Sequence, residues 1–201
     1  MSGDSLKRLY LDSMGALREA RGTILAVVIL FLISAAFGIA HPSWSEGSLS
    51  AMKGLARDLS GRSVYGLILI LFLKNSLSTA IAVLLGPFLG IVPLLGAIIN
   101  GLLLGSVFTY VSEANKVNAI FYLLPHGFFE FPAMFMAWGL GLWQGIWFFQ
   151  KHRRDSLKER RNRALRILFL IILPLLLVAA TIEGTNIYLM QAGSGITSFP
   201  E

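Results

Sequence analysis

His126 and Glu130 stand four residues apart in a strongly apolar stretch, the spacing that puts two side chains on one helix face with the imidazole in reach of the carboxylate. Such a pair can exchange a proton, hold a cation or polar substrate group, or supply two ligands to a metal. Lys74 and Glu183 are ionisable groups in other apolar runs, and Asn75 and Asn100 add amides of the same kind. An ionisable side chain at the centre of a membrane span costs about 2.5 to 3.5 kcal/mol on insertion scales, so each of these needs a partner or a purpose.

The alternatives for classical catalysis are thin. The other histidines, His41 and His152, fall in loops expected on opposite sides of a bilayer, so a zinc ion at His126 and Glu130 would need Glu183, water or an amide to complete its shell. Neither a metal nor a cofactor is expected. No Gly-x-Ser-x-Gly elbow occurs, Ser76 and Ser78 have no evident base, and the chain has no cysteine to act as nucleophile or thiolate ligand. No residue is assigned as catalytic, and these absences weigh against an enzyme.

The elements that must carry these residues follow from composition. A chain of 201 residues with 55% hydrophobic and 14% charged residues, and a mean hydropathy of +0.70, cannot hide its apolar surface inside a globule. The expected fold is an all-α, multi-pass bundle in the cell membrane, a single membrane domain over residues 1–201. A crossing needs roughly 20 apolar residues, and the candidate spans are 23–40, 64–85, 89–110, 119–149 and 167–190. Gly86, Pro87, Gly90 and Pro93 divide the long run after Val64 into two spans. Pro125 is expected to start the main helix of the fourth span after a short approach segment, and Pro132 to bend it. Between the first two spans, Leu49, Met52, Leu55, Ala56 and Leu59 recur at helical spacing opposite Lys53, Arg57 and Asp58, which predicts an interfacial helix over 48–60.

The basic residues orient the bundle. With five crossings and the N-terminus inside, the cytoplasmic segments hold Lys7, Arg8, Arg18, Arg21, Lys151, Arg153, Arg154, Lys158, Arg160, Arg161, Arg163 and Arg166. The outer segments hold Lys53, Arg57, Arg62 and Lys116, and the C-terminus lies outside. The net charge of +6 is concentrated in blocks beside spans, which suits cytoplasmic topology and contact of the basic loop with anionic lipid and excludes nucleic acid as the expected partner.

At about 1.5 Å of rise per residue, Lys74 and Glu130 lie about 15 Å below the outer surface, and His126 and Glu183 about 10 Å. Asn100 falls near the same layer, so Lys74, Asn75, Asn100, His126, Glu130 and Glu183 are expected to form one buried polar cluster. Ala133, Ala137, Gly141 and Gly145 recur every fourth residue beside it and form a surface for close helix packing, with Gly101 and Gly105 as a matching surface on the third span.

These residues occur in a recognisable order: Lys74-Asn75, Asn100 to Gly105, Pro125-His126-Gly127-Phe128-Phe129-Glu130-Phe131-Pro132-Ala133, and Glu183 in the last span. From about Leu67 to Glu183 the chain resembles the stage II sporulation protein M (SpoIIM-like) membrane family. The resemblance implies a multispanning protein and, by analogy with the member of endospore-forming bacteria, an anchor for cell-wall-degrading partners. The chain carries no recognisable wall-binding domain, so the function expected from it is the more general one of a membrane scaffold or anchor. In that role the polar cluster fixes helix packing while loops recruit membrane protein partners or a second copy of the chain. The alternative is a transporter, channel or intramembrane enzyme in which His126 and Glu130 handle a proton, an ion or a substrate group.

Overall fold

Inside a bilayer the backbone must satisfy its own hydrogen bonds, and the apolar runs of this chain do so as helices. The computed structural model describes residues 3–45, 57–110, 113–150 and 155–194, with single positions at 47, 50 and 54. Among these residues there is no strand. The helices are α1 (Gly3–Glu19), α2 (Arg21–Ala40), α3 (Val64–Leu85), α4 (Ile91–Tyr110), α5 (Glu113–Gly145), α6 (Leu157–Ile167) and α7 (Leu173–Ser194). Short 3-10 turns occupy Pro42–Ser45 and Ile146–Phe149, and a π turn over Leu168–Ile172 joins α6 to α7. Four helical stretches are long and apolar enough to cross a membrane: Arg21–Ala40, Val64–Leu85, Ile91–Thr109 and Leu157–Ala192. Large apolar side chains remain exposed along them, as Leu69, Leu73, Leu77 and Ile81 do at every fourth position of α3, a lipid-facing stripe that water would not tolerate.

Several boundaries differ from those read in the sequence, each for a local reason. Pro125 does not start a helix; α5 is continuous over 33 residues and contains both Pro125 and Pro132. The basic run after 155 is a helix rather than a loop. Ser156 accepts from the Glu159 N–H at 3.2 Å while Glu159 accepts from the Ser156 N–H at 2.6 Å, a capping box that starts α6 and feeds the last span without a break in helical direction. The widened π turn sits just before Pro174, which has no N–H to offer the preceding turn. The turn between α3 and α4 holds Leu89 at φ 55° and Gly90 at φ 70°, so α4 starts at Ile91, two residues later than expected. Most of the predicted interfacial helix over 48–60 lies outside the described residues. Its end is helical at 57–59, where buried Leu59 packs with Leu67, Leu71 and Ala180.

The long central helix α5 touches α2, α3, α4 and α7; α2 and α4 pair closely on one flank, as do α3 and α7 on the other. Small residues make this possible. Ala133 and Ala137 are fully buried, Gly139 lies against Ile24 of α2, Gly141 against Ala82 of α3, and Gly145 against Gly90 in the α3–α4 turn. Gly101 and Gly105 do not face this stripe. They pack on the backbone of α2, where added Cβ atoms would meet the carbonyl oxygens of Phe31 and Ala35. Thr23 ties the α2 end of the bundle to α5 by donating to the Gly139 carbonyl at 2.8 Å. Phe31, Phe131, Phe135 and Trp138 fill the space between α2 and α5, with the Phe31 and Phe135 rings edge to face at 5.2 Å.

Gly105→Val should therefore force α2 and α4 apart and cost about 1 to 3 kcal/mol, the range for overpacking a close interface. Gly22→Ala, where an added Cβ meets nothing within 4 Å, should leave the thermal unfolding of the detergent-solubilised protein unchanged. Equal melting of the two variants would rule out the close α2–α4 contact.

Candidate functional site

Helix α5 carries His126 and Glu130 one turn apart, bracketed by Pro125 and Pro132. Proline removes the donor to the fourth residue back, so the wall of the site has a weakened hydrogen-bond ladder on both sides of the pair. Glu183 comes from α7, and the residue beside it explains its reach. Gly184 sits close against Ile68 in α3, where an added Cβ would meet the Ile68 side chain at 2.8 Å and its backbone nitrogen at 3.0 Å, so α7 packs tightly on α3 at that height.

One ligand-capable atom each of His126, Glu130 and Glu183 lies within 4.8 Å of the other two, and all three residues are half-buried. The polar satisfaction of this trio is sparse. Asn75 of α3 donates its amide to Glu130 Oε1 at 3.0 Å. His126 Nδ1 is buried with no hydrogen-bond partner, and Glu183 makes no hydrogen bond among the described residues. Three helices thus bring a histidine, two carboxylates and an amide to one point with a single hydrogen bond between them.

Two of the expected members sit differently. Lys74 is exposed at the edge of the bundle rather than buried. Successive helical residues are about 100° apart, so an inward Asn75 puts Lys74 on the flank. Its ammonium still acts electrostatically on both Glu130 and Glu183, without forming an ion pair to either. Asn100 gives its amide to the carbonyl of Gly96 in its own helix, at 2.8 Å, and makes no hydrogen bond to the trio.

Other functional-looking contacts lie at the far end of α5 and were not singled out in the sequence. Gln144 is fully buried and donates to the Val83 carbonyl of α3 at 3.0 Å. Arg160 is buried under Trp143, 4.6 Å from its ring, pairs with Asp155 at 2.9 Å, and donates to the Trp143 carbonyl at 2.8 Å and to Gln150 at 2.6 Å. Arg163 grips Glu19 of α1 through both terminal nitrogens at 2.9 and 3.0 Å, and Arg166 reaches Asp12 at 2.8 Å. Part of the positive charge read as lipid-facing is thus neutralised inside the protein. The signal was present in the sequence: Ser156-x-x-Glu159 is a capping-box pattern, and Arg160, Arg163 and Arg166 repeat every third position on one helical side. Lys151, Arg153 and Arg154 of the same basic run, and Lys53 of the outer set, lie outside the described residues.

Long apolar helices closing around a half-buried polar group define a multi-pass integral membrane protein. The chain belongs to the Stage II sporulation protein M family, whose model matches residues 24–186, most of its length. Neither the curated proteins nor the solved structures compared with it gave a match.

Glu130→Ala should lower stability in detergent by about 1 to 3 kcal/mol, because it strips the Asn75 amide of its acceptor in a half-buried setting. Glu130→Gln, which keeps an acceptor oxygen, should lose less in the same melting experiment. Arg160→Leu should be more damaging, about 3 to 5 kcal/mol, since it strips the half-buried Asp155 of its partner and leaves the Trp143 carbonyl and Gln150 without their donor, and Arg160→Lys should not restore all three contacts at once. Parent-like melting of Arg160→Leu would contradict the role of this pin.

Proposed function

We propose that the working part of this protein is the polar site formed by His126, Glu130 and Glu183, and that it takes a proton, a cation or a polar substrate group from the outer side of the membrane. The observation that carries this reading is the sparse pairing of the trio. Interhelical glue is stabilising when its polar groups satisfy one another, whereas a half-satisfied network is worse than an apolar core. Among the described residues one hydrogen bond serves three chemically competent side chains. The protein is accordingly a carrier, a channel or an intramembrane enzyme, with Lys74 at the rim as a counter-charge. Its arrangement in this reading is a single membrane domain of five crossings. The N-terminus and α6 are cytoplasmic, on the weight of the basic residues, and the C-terminus is outside.

A scaffold is the second reading, and one observation favours it. The ion pairs of Arg163 and Arg166 with Glu19 and Asp12 fasten α1 to α6, a rigid polar platform on which partners could dock.

The chain has no cysteine, so single introduced cysteines report without background. His126→Cys and Glu183→Cys should be modified by a small, impermeant methanethiosulfonate added to intact cells, because only a thiol in contact with water ionises and reacts. Leu177→Cys, on the exposed apolar face, should stay silent, and Arg161→Cys should react only after the membrane is opened. Labelling of Arg161→Cys in intact cells would reverse the orientation. Silence of both site cysteines, even in opened membranes, would overturn the polar-site reading and leave the scaffold.

A further inference from the structure

We propose that His126, Glu130 and Glu183 bind one divalent transition-metal ion of the Zn²⁺ class. The inference deepens the polar-site reading by naming the ligand. Imidazole nitrogen and carboxylate oxygen are the donors that zinc accepts at about 2.0 to 2.2 Å, and around a tetrahedral ion such arms separate the ligand atoms by about 3.4 Å. The three candidate atoms already lie within 4.8 Å of one another, so side-chain rotations of about an ångström close the shell without moving a helix.

Two features besides proximity point to a cation. His126 Nδ1 is buried and has no hydrogen-bond partner among the described residues, so one imidazole nitrogen is left unengaged by protein beside the two carboxylates. The Asn75 amide holds Glu130 by one oxygen at 3.0 Å, the kind of outer support that orients a ligating carboxylate and leaves its second oxygen free. Charge agrees as well. Two carboxylates brought this close repel each other where the dielectric is low, and a divalent ion cancels them both. The Lys74 ammonium, exposed on the flank of α3, contributes only one charge at longer range and makes no ion pair to either carboxylate. It acts as the competitor of the metal. Three protein ligands leave a fourth position for water or a substrate oxygen, the arrangement of zinc sites that do chemistry rather than hold structure.

The test uses the full chain in detergent, stripped with EDTA, incubated with ZnCl₂, desalted and assayed by elemental analysis. One zinc per chain is expected, together with a higher melting temperature in Zn²⁺ than in EDTA. His126→Ala and Glu183→Gln should each bind at least tenfold more weakly, and Lys74→Met should bind as tightly as the parent or tighter. Zinc below a tenth of an equivalent on folded parent protein, or undiminished binding by both site variants, overturns the proposal. Should the variants fail to fold, X-ray absorption of the zinc-loaded parent decides: an imidazole with oxygen ligands supports the site, and an all-oxygen shell sinks it. Metal-free protein whose site cysteines are still labelled from outside would remove the metal and keep the polar-site reading. Stoichiometric zinc with silent cysteines would keep the metal and remove access from water.

Discussion

Close contact between helix backbones is the constraint on which everything else in this protein depends. Lipid chains are as apolar as leucine side chains, so the bundle gains little from excluding them and must instead win on packing distance. Gly139, Gly141 and Gly145 let α5 lie against α2, α3 and the turn after α3, while Gly101 and Gly105 do the same for α4 on α2. Gly184 performs this service where it matters for chemistry, because it brings α7 against α3 at the level of Glu183.

The two ends of α5 show opposite treatments of buried charge. Around Arg160 the accounting is complete: a carboxylate whose two oxygens share the Nε–H, a backbone carbonyl, a glutamine oxygen and an aromatic face surround the guanidinium. Around His126 it is open, with one amide serving the trio among the described residues. A fold that can satisfy one buried charge so fully has the means to satisfy another. The contrast marks the first as architecture and is the ground of the ligand proposed for the second.

Much of the site was legible in the sequence, because its rules are local or one-dimensional. The four-residue spacing put His126 beside Glu130, and counting residues from the span ends put Glu183 at a comparable height. Rotation about each helix axis was not legible. Lys74 and Asn75 are neighbours in sequence and share a depth, yet one faces outward and the other inward. The partner of Gly101 and Gly105 was hidden for a related reason: small-residue spacing announces a close approach but not the helix that makes it, and α2 answers with its own four-residue pair, Ser34 and Gly38, which the sequence reading did not match to it. Charge misled in the segment after 155, where a density of arginines suggested a loop. The capping box of Ser156 and Glu159 and the three-residue repeat of arginines describe a helix clamped to α1.

The continuous helical path from Leu157 to Ala192 has a consequence for how such a chain tolerates change in length. Arg160 fixes one end of this rod to α5, and Glu183 must meet α5 again near the other, so the intervening residues set an angle as well as a distance. The π turn at Leu168–Ile172 contributes one wide turn to that angle. Losing or gaining a single residue between the two points would swing the carboxylate about 100° around the rod, away from His126. Substitutions at the exposed positions of this stretch, such as Phe169, Leu170 and Leu177, exchange one lipid-facing side chain for another, whereas insertions and deletions retune the phase of the whole helix.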